Sequence, residues 1–103
     1  MIFVFEVRVK EGWSAEAYAD AWVRASRIIQ QAPGSRGTRL HRSIGDPARL
    51  LAIASWDSKD ARDAMEAHPS EEVRRIIASQ AEFDDINVIG EFKDPEWVVD
   101  PPG

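Results

Sequence analysis

The sequence predicts an α+β fold: a ferredoxin-like βαββαβ sandwich, with an antiparallel sheet and its helices on one face. Three observations carry that prediction. The elements read strand, helix, strand, strand, broken helix, strand. The two middle strands are joined by the tight turn Gly45-Asp46-Pro47, where glycine tolerates positive φ and proline fixes φ. Strand three is apolar on both faces, and strand one adds either Ile2 and Val4 or its Phe pair, so the side without helices also needs cover. Two βαβ crossovers joined by a hairpin give this topology.

Residues 2–10, IFVFEVRVK, alternate as a strand. Phe3, Phe5, Val7 and Val9 share one face; Ile2, Val4, Glu6 and Arg8 share the other. Ser14 suits an N-cap and Glu16 the positive end of a helix dipole. From Ala15 to Gln31, Tyr18, Ala21, Trp22, Ala25, Ile28 and Ile29 form an apolar helical stripe. Pro33 and Gly34 stop that helix. The second strand, Gly37 to Ile44, places Arg39, His41 and Ser43 on one face and Thr38, Leu40, Arg42 and Ile44 on the other. The third, Leu50 to Trp56, sets Leu51 and Ile53 against Leu50, Ala52, Ala54 and Trp56. Ser58 caps a helix with Ala61, Ala64, Met65 and His68 on its stripe; Pro69 breaks it and Ser70 restarts it. The fourth strand lies in 83–92, with a bulge expected at Gly90. The predicted domain is 1–93. Residues 94–103 form a proline-rich tail, in which Trp97 to Val99 can make one short extended segment.

The chain has 103 residues, a size that suits one domain with a thin core. A net charge of -5 argues against nucleic-acid and anionic-membrane partners, which need clustered Lys and Arg. The absence of cysteine excludes disulfides and thiolate chemistry and fits a reducing, cytoplasmic setting. The N-terminal apolar run has no basic region before it and carries charges, unlike a signal peptide. No stretch approaches the roughly 20 apolar residues of a membrane span. Two histidines far apart in sequence give no metal-ligand spacing. The second apolar sheet face predicts a two-fold homodimer.

The segments PGSRGTRLHRSIGDP, IASWDSKDA and EAHPS resemble the antibiotic biosynthesis monooxygenase (ABM) superfamily, over most of 2–92. The resemblance implies homodimers of ferredoxin-like subunits, the dimeric α+β barrel. It also implies, for some members, oxidation of quinols or polycyclic phenols by O₂ without a cofactor. A related branch degrades haem, using an Asn on the first strand and a Trp and His on the second helix. Many family members carry a second histidine in the turn after the A-H element, where Val73, Arg74 and Arg75 stand here. Of the haem-branch features, the first strand has no Asn and Met65 stands where an aromatic is expected. Haem is therefore not expected, and no bound cofactor is.

The expected ligand wall holds Glu6, Arg8, Arg39, His41, Ser43, Ala52, Ala54, Trp56 and Asn87. Small Ala52 and Ala54 would leave space and Trp56 would give a flat surface for an aromatic ring. In that reading His41 is the base that ionises a phenol, Arg39 or Arg8 stabilises the anion, and Trp56 completes the catalytic set. Glu6, Arg8, Ser43, Ala54, His68 and Asn87 contact the ligand. The structural alternative makes Glu6, Arg39 and His41 a solvated or interface network, with pairs worth ~0.2–1 kcal/mol. It makes His68 a cation at a helix C-terminus. Trp22 reads as core, Trp13 as a cap on the strand-to-helix loop and Trp97 as a dimer anchor. The sequence thus carries two functional readings: a cofactor-independent monooxygenase for an aromatic or quinol-type molecule, or a non-catalytic ligand-binding or stress-response dimer on the same scaffold.

Overall fold

A computed structural model describes residues 1–103. The elements are β1 (Ile2–Val9), α1 (Ala15–Ile29), β2 (Ser35–Arg42), β3 (Arg49–Trp56), α2 (Lys59–Ala67), α3 (Glu71–Gln80) and β4 (Asp84–Phe92). The sheet runs β2-β3-β1-β4 with every pair antiparallel, which is the ferredoxin-like arrangement expected. Each helix starts where a serine supplies an acceptor. Ser14, Ser58 and Ser70 take the amides of Ala17, Ala61 and Val73. Pro69 separates α2 from α3, as its missing amide dictates.

The turn after α1 is wired by its own side chains. Ser35 Oγ donates to the carbonyls of Gln30 and Ala32 at 2.8 Å, and Gln30 Oε1 accepts the Gly37 amide at 2.8 Å. Gly34 has φ +83, and a Cβ there would stand 2.6 Å from Ala61 Cβ. Glycine is required on both counts, and the close approach brings the start of α2 onto the turn. This wiring begins β2 at Ser35, two residues before the predicted start, with a register shift before Thr38. β2 ends at Arg42, so Ser43 and Ile44 lie beyond it. The register of β1 on β4 also shifts, between Val88 and Gly90, where the bulge was expected.

Residues directly opposite on neighbouring strands share a face, so the registers sort the sheet. The helix side carries Phe3, Phe5, Val7 and Val9, then Leu50, Ala52, Ala54 and Trp56, with Thr38, Leu40, Ile86 and Val88. Val7, Val9, Ala15, Tyr18 and Leu50 form one core cluster; Ala21, Ala25, Val73 and Ile76 join α1 to α3 in another. Only 13 of 103 residues are buried, so the core of one subunit is thin.

The outer side carries Ile2, Val4, Leu51, Ile53 and Phe92 among charged neighbours. The sequence left two apolar sets as candidates for this side; it is the Leu51 and Ile53 set. Glu6 pairs with Arg49 at 2.7 Å and Arg8 with Asp46 at 2.9 Å across it. Phe92 and Ile89 remain about half exposed. No element forms after Phe92. Trp97, Val98 and Val99 are exposed and form no strand; Asp94 meets the Met1 ammonium at 2.6 Å. No helix is long and apolar enough to cross a membrane.

Candidate functional site: the chamber between helices and sheet

The helices do not close evenly on the sheet. Beneath them lies a chamber of about 370 Å³, bounded by all four strands and all three helices. Its floor is Phe3, Phe5, Ala54 and Trp56; its roof is Tyr18 and Trp22 of α1 with Met65 of α2. The space follows from the sequence: Ala21, Ala25 and Ala54 line it where larger side chains would fill it. Its mouth is marked by Ile77, Ile86 and Val88, each more than half exposed. Trp56 is 2% exposed and holds the end of the floor rigid.

Polar groups on the wall are few. Thr38, Ser26, Gln30 and Gln80 reach it, and Arg62 and Glu66 bring charge. The Arg62 guanidinium lies 3.7 Å above the Phe3 ring, and its side chain is only 13% exposed. Gln80 Oε1 is buried without a hydrogen-bond partner. Tyr18 is buried on the same wall; burial pushes its phenol well above the usual tyrosine range, and the charge of Asp84 adds to that. Asp84, on the helix side opposite Val9, is 6% exposed, and neither carboxyl oxygen has a partner. Burial raises its pKa first and the Asp85 charge second, with Lys10 opposing.

The residues expected from sequence divide between two places. Ala54 and Trp56 line the chamber. Ala52 is on the same side but fully buried in packing. Glu6, Arg8, Arg39, His41 and Asn87 point to the other side: Arg39 lies opposite Ile53, His41 opposite Leu51 and Asn87 opposite Glu6. The single wall drawn from sequence therefore mixed two faces, and this geometry corrects it. Period-two alternation sorts residues within one strand, but only inter-strand register phases one strand against another. His41 and Ser43 come together instead in a smaller cleft of about 200 Å³, beside Arg42, Arg49, Leu50 and Leu51. His68 is the exposed C-cap of α2 and does not line the chamber.

From the sequence, Phe3, Phe5, Tyr18, Trp22 and Met65 read as strand or helix faces, and Arg62 falls outside the expected site. Arg62 stands three residues before Met65, a spacing that puts both on one helical face. That was the available signal.

A model of the antibiotic biosynthesis monooxygenase family matches residues 1–85. The chain belongs to that family. Membership supports a monooxygenase-type function in general terms. Solved structures with this fold include SnoaB, a cofactor-independent oxygenase from Streptomyces nogalater, at 15% identity, TM-score 0.71 and coverage of 93% of this chain and 96% of that one. A putative antibiotic biosynthesis monooxygenase from Nitrosomonas europaea matches at 17% identity and TM-score 0.66, over 87% and 89% of the two chains. A possible oxidoreductase from Bacteroides thetaiotaomicron matches at 14% and 0.70, over 84% and 89%. At such identities the likeness shows the fold alone. No curated protein matches the chain.

Proposed function

We propose that this member of the ABM family is a cofactor-independent monooxygenase that oxidises a phenolic or quinol-type aromatic molecule with O₂ in the helix-side chamber. The observation that carries this reading is the chamber itself, about 370 Å³ and walled mostly by apolar and aromatic side chains. That volume sits at the small end of ligand pockets and suits a flat molecule of about two or three fused rings. Phe3, Phe5, Trp22 and Trp56 offer ring faces and edges to such a molecule. A water-poor space also admits O₂ and limits hydrolysis or side reactions of a reactive intermediate. For an anthrone the balance is complete with O₂ alone: the methylene carbon becomes a carbonyl, one oxygen atom enters the product, and the other leaves as water with the two hydrogens.

In this proposal Ala54 and Trp56 shape the substrate site. Arg39, His41, Glu6, Arg8 and Asn87 belong to the outer sheet face, where a second copy of the chain packs in a cytoplasmic homodimer. What supports the dimer is the mixture there: half-exposed Phe92 on the face that carries Ile2, Leu51 and Ile53, ringed by ion-paired residues.

Dioxygen uptake with a panel of anthrones and quinols tests the reading. Wild type and His41→Ala should consume O₂ at similar rates, and Ala54→Trp, which fills the chamber, should lose at least about tenfold. Uptake that survives Ala54→Trp but falls in His41→Ala would overturn it. Tight aromatic binding with no uptake across the panel would favour the ligand-binding alternative.

A further inference from the structure

Arg62 is the one guanidinium on the chamber wall. Its side chain is mostly buried, yet it donates no hydrogen bond within the protein. Its nearest anion, Glu66, is 3.6 Å away, on a side chain that is 66% exposed. Three other arginines do find acceptors: Arg49 meets Glu6 at 2.7 and 2.9 Å, Arg8 meets Asp46 at 2.9 Å and Arg42 meets Glu16 at 2.7 Å. Arg24, Arg36 and Arg75 make looser pairs, but on side chains more than half exposed, where water serves their donors. The Phe3 ring centroid lies 3.7 Å beneath its guanidinium carbon, a cation–π contact that holds the cation at that ring. A planar cation with five N–H donors is thus held at an apolar surface with its donors unspent. Withdrawing such a group from water is unfavourable unless an acceptor arrives. Lys59, which could compete for a ligand anion, is already held by Asp63 and Glu91 at 3.2 Å.

We infer that Arg62 selects the charge state of the occupant: the chamber takes an aromatic anion, a ring system bearing a carboxylate or an ionised phenol or enol oxygen, directed toward the α2 end beside Phe3. The inference rests on the reading of the chamber as the ligand site and assigns its substrate class. Charge-assisted bonds to a planar fork are among the stronger polar contacts. The same contact favours ionisation of a bound phenol, which is the form that O₂ oxidises.

Two dyes with one ring system separate the possibilities without requiring turnover. The probe 8-anilinonaphthalene-1-sulfonate carries an anion, its sulfonate oxygens standing in for the substrate's oxyanion, and 1-anilinonaphthalene carries none. Both are titrated by fluorescence into wild type, Arg62→Gln, Arg75→Gln and Ala54→Trp. Arg75 is an exposed arginine of α3 that does not line the chamber, and serves as the charge control. Arg62→Gln should weaken the sulfonate at least about tenfold and leave the neutral dye within about twofold, which also shows that the variant is folded. Arg75→Gln should change neither, and Ala54→Trp should weaken both. Equal loss of both dyes in Arg62→Gln, or loss of neither, overturns the role of Arg62 while the chamber stands. Failure of the neutral dye to bind wild type, or its indifference to Ala54→Trp, overturns the chamber reading as well.

Discussion

The two faces of this one sheet differ in kind. The helix side is covered by α1, α2 and α3, yet it retains a chamber with a single guanidinium on its wall. The outer side is uncovered, but its charges are largely satisfied by one another, as Glu6–Arg49 and Arg8–Asp46 show. Unmet polar capacity on the covered side points to a small ligand. In the proposed dimer, a second copy of the chain covers the apolar area of the open side. Ile53 and Ala54 are chain neighbours on β3 and belong to these two different surfaces.

Substitutions on the two faces should break different properties. The largest effect is expected at Trp56, 2% exposed on the helix side. Trp56→Ala should cost about 3–5 kcal/mol in urea denaturation, the range for a large aromatic removed from a core. Next is Ile53→Glu on the outer face. It should leave the subunit folded by circular dichroism and move the gel-filtration peak from about 23 kDa, twice the chain's 11.6 kDa, to a single chain. A wild type that already elutes as one chain would remove the dimer from the account.

A smaller effect is expected where the helix layer is pinned to the sheet. Gly34→Ala combines a positive φ with a Cβ 2.6 Å from Ala61, and should lower stability by about 1–3 kcal/mol. The smallest is a pH effect at Asp84. Its pKa is raised above 3.8 in the folded state by burial, so the folded protein holds that proton more tightly than the unfolded chain. The group therefore subtracts stability as pH rises from the ordinary carboxyl value through the raised one. Asp84→Asn should melt at a higher temperature than wild type at pH 7, and the difference should close below about pH 3.8. A difference that grows on acidification would contradict the burial argument.

Much of the fold was legible because its signals are local. Ser14, Ser58 and Ser70 cap helices where expected, Pro69 divides α2 from α3, Gly90 accompanies the bulge and Gly34 ends the turn after α1. The site was legible only in part, because it is assembled across strands. Ala54 and Trp56 were identified as wall residues, but β3 is apolar on both faces and carries no internal mark of which face meets the helices. Arg39 and His41 were therefore joined to the wrong partners, since their place follows from pairing opposite Ile53 and Leu51. Arg62 looks like one more charge on a solvated helix. Only the packing of α2 over Phe3 gives it a buried position.

The central claim is that ligand chemistry belongs to the helix side of the sheet and not to the His41 side. Amide NMR of the ¹⁵N-labelled chain, titrated with anthrone under nitrogen so that no oxidation intervenes, tests it most directly. The account predicts that shifts concentrate at Phe5, Tyr18, Ala54, Arg62 and Met65, with Arg39, His41 and Ser43 unmoved. Shifts concentrated at Arg39, His41 and Ser43, with the chamber residues silent, would contradict it.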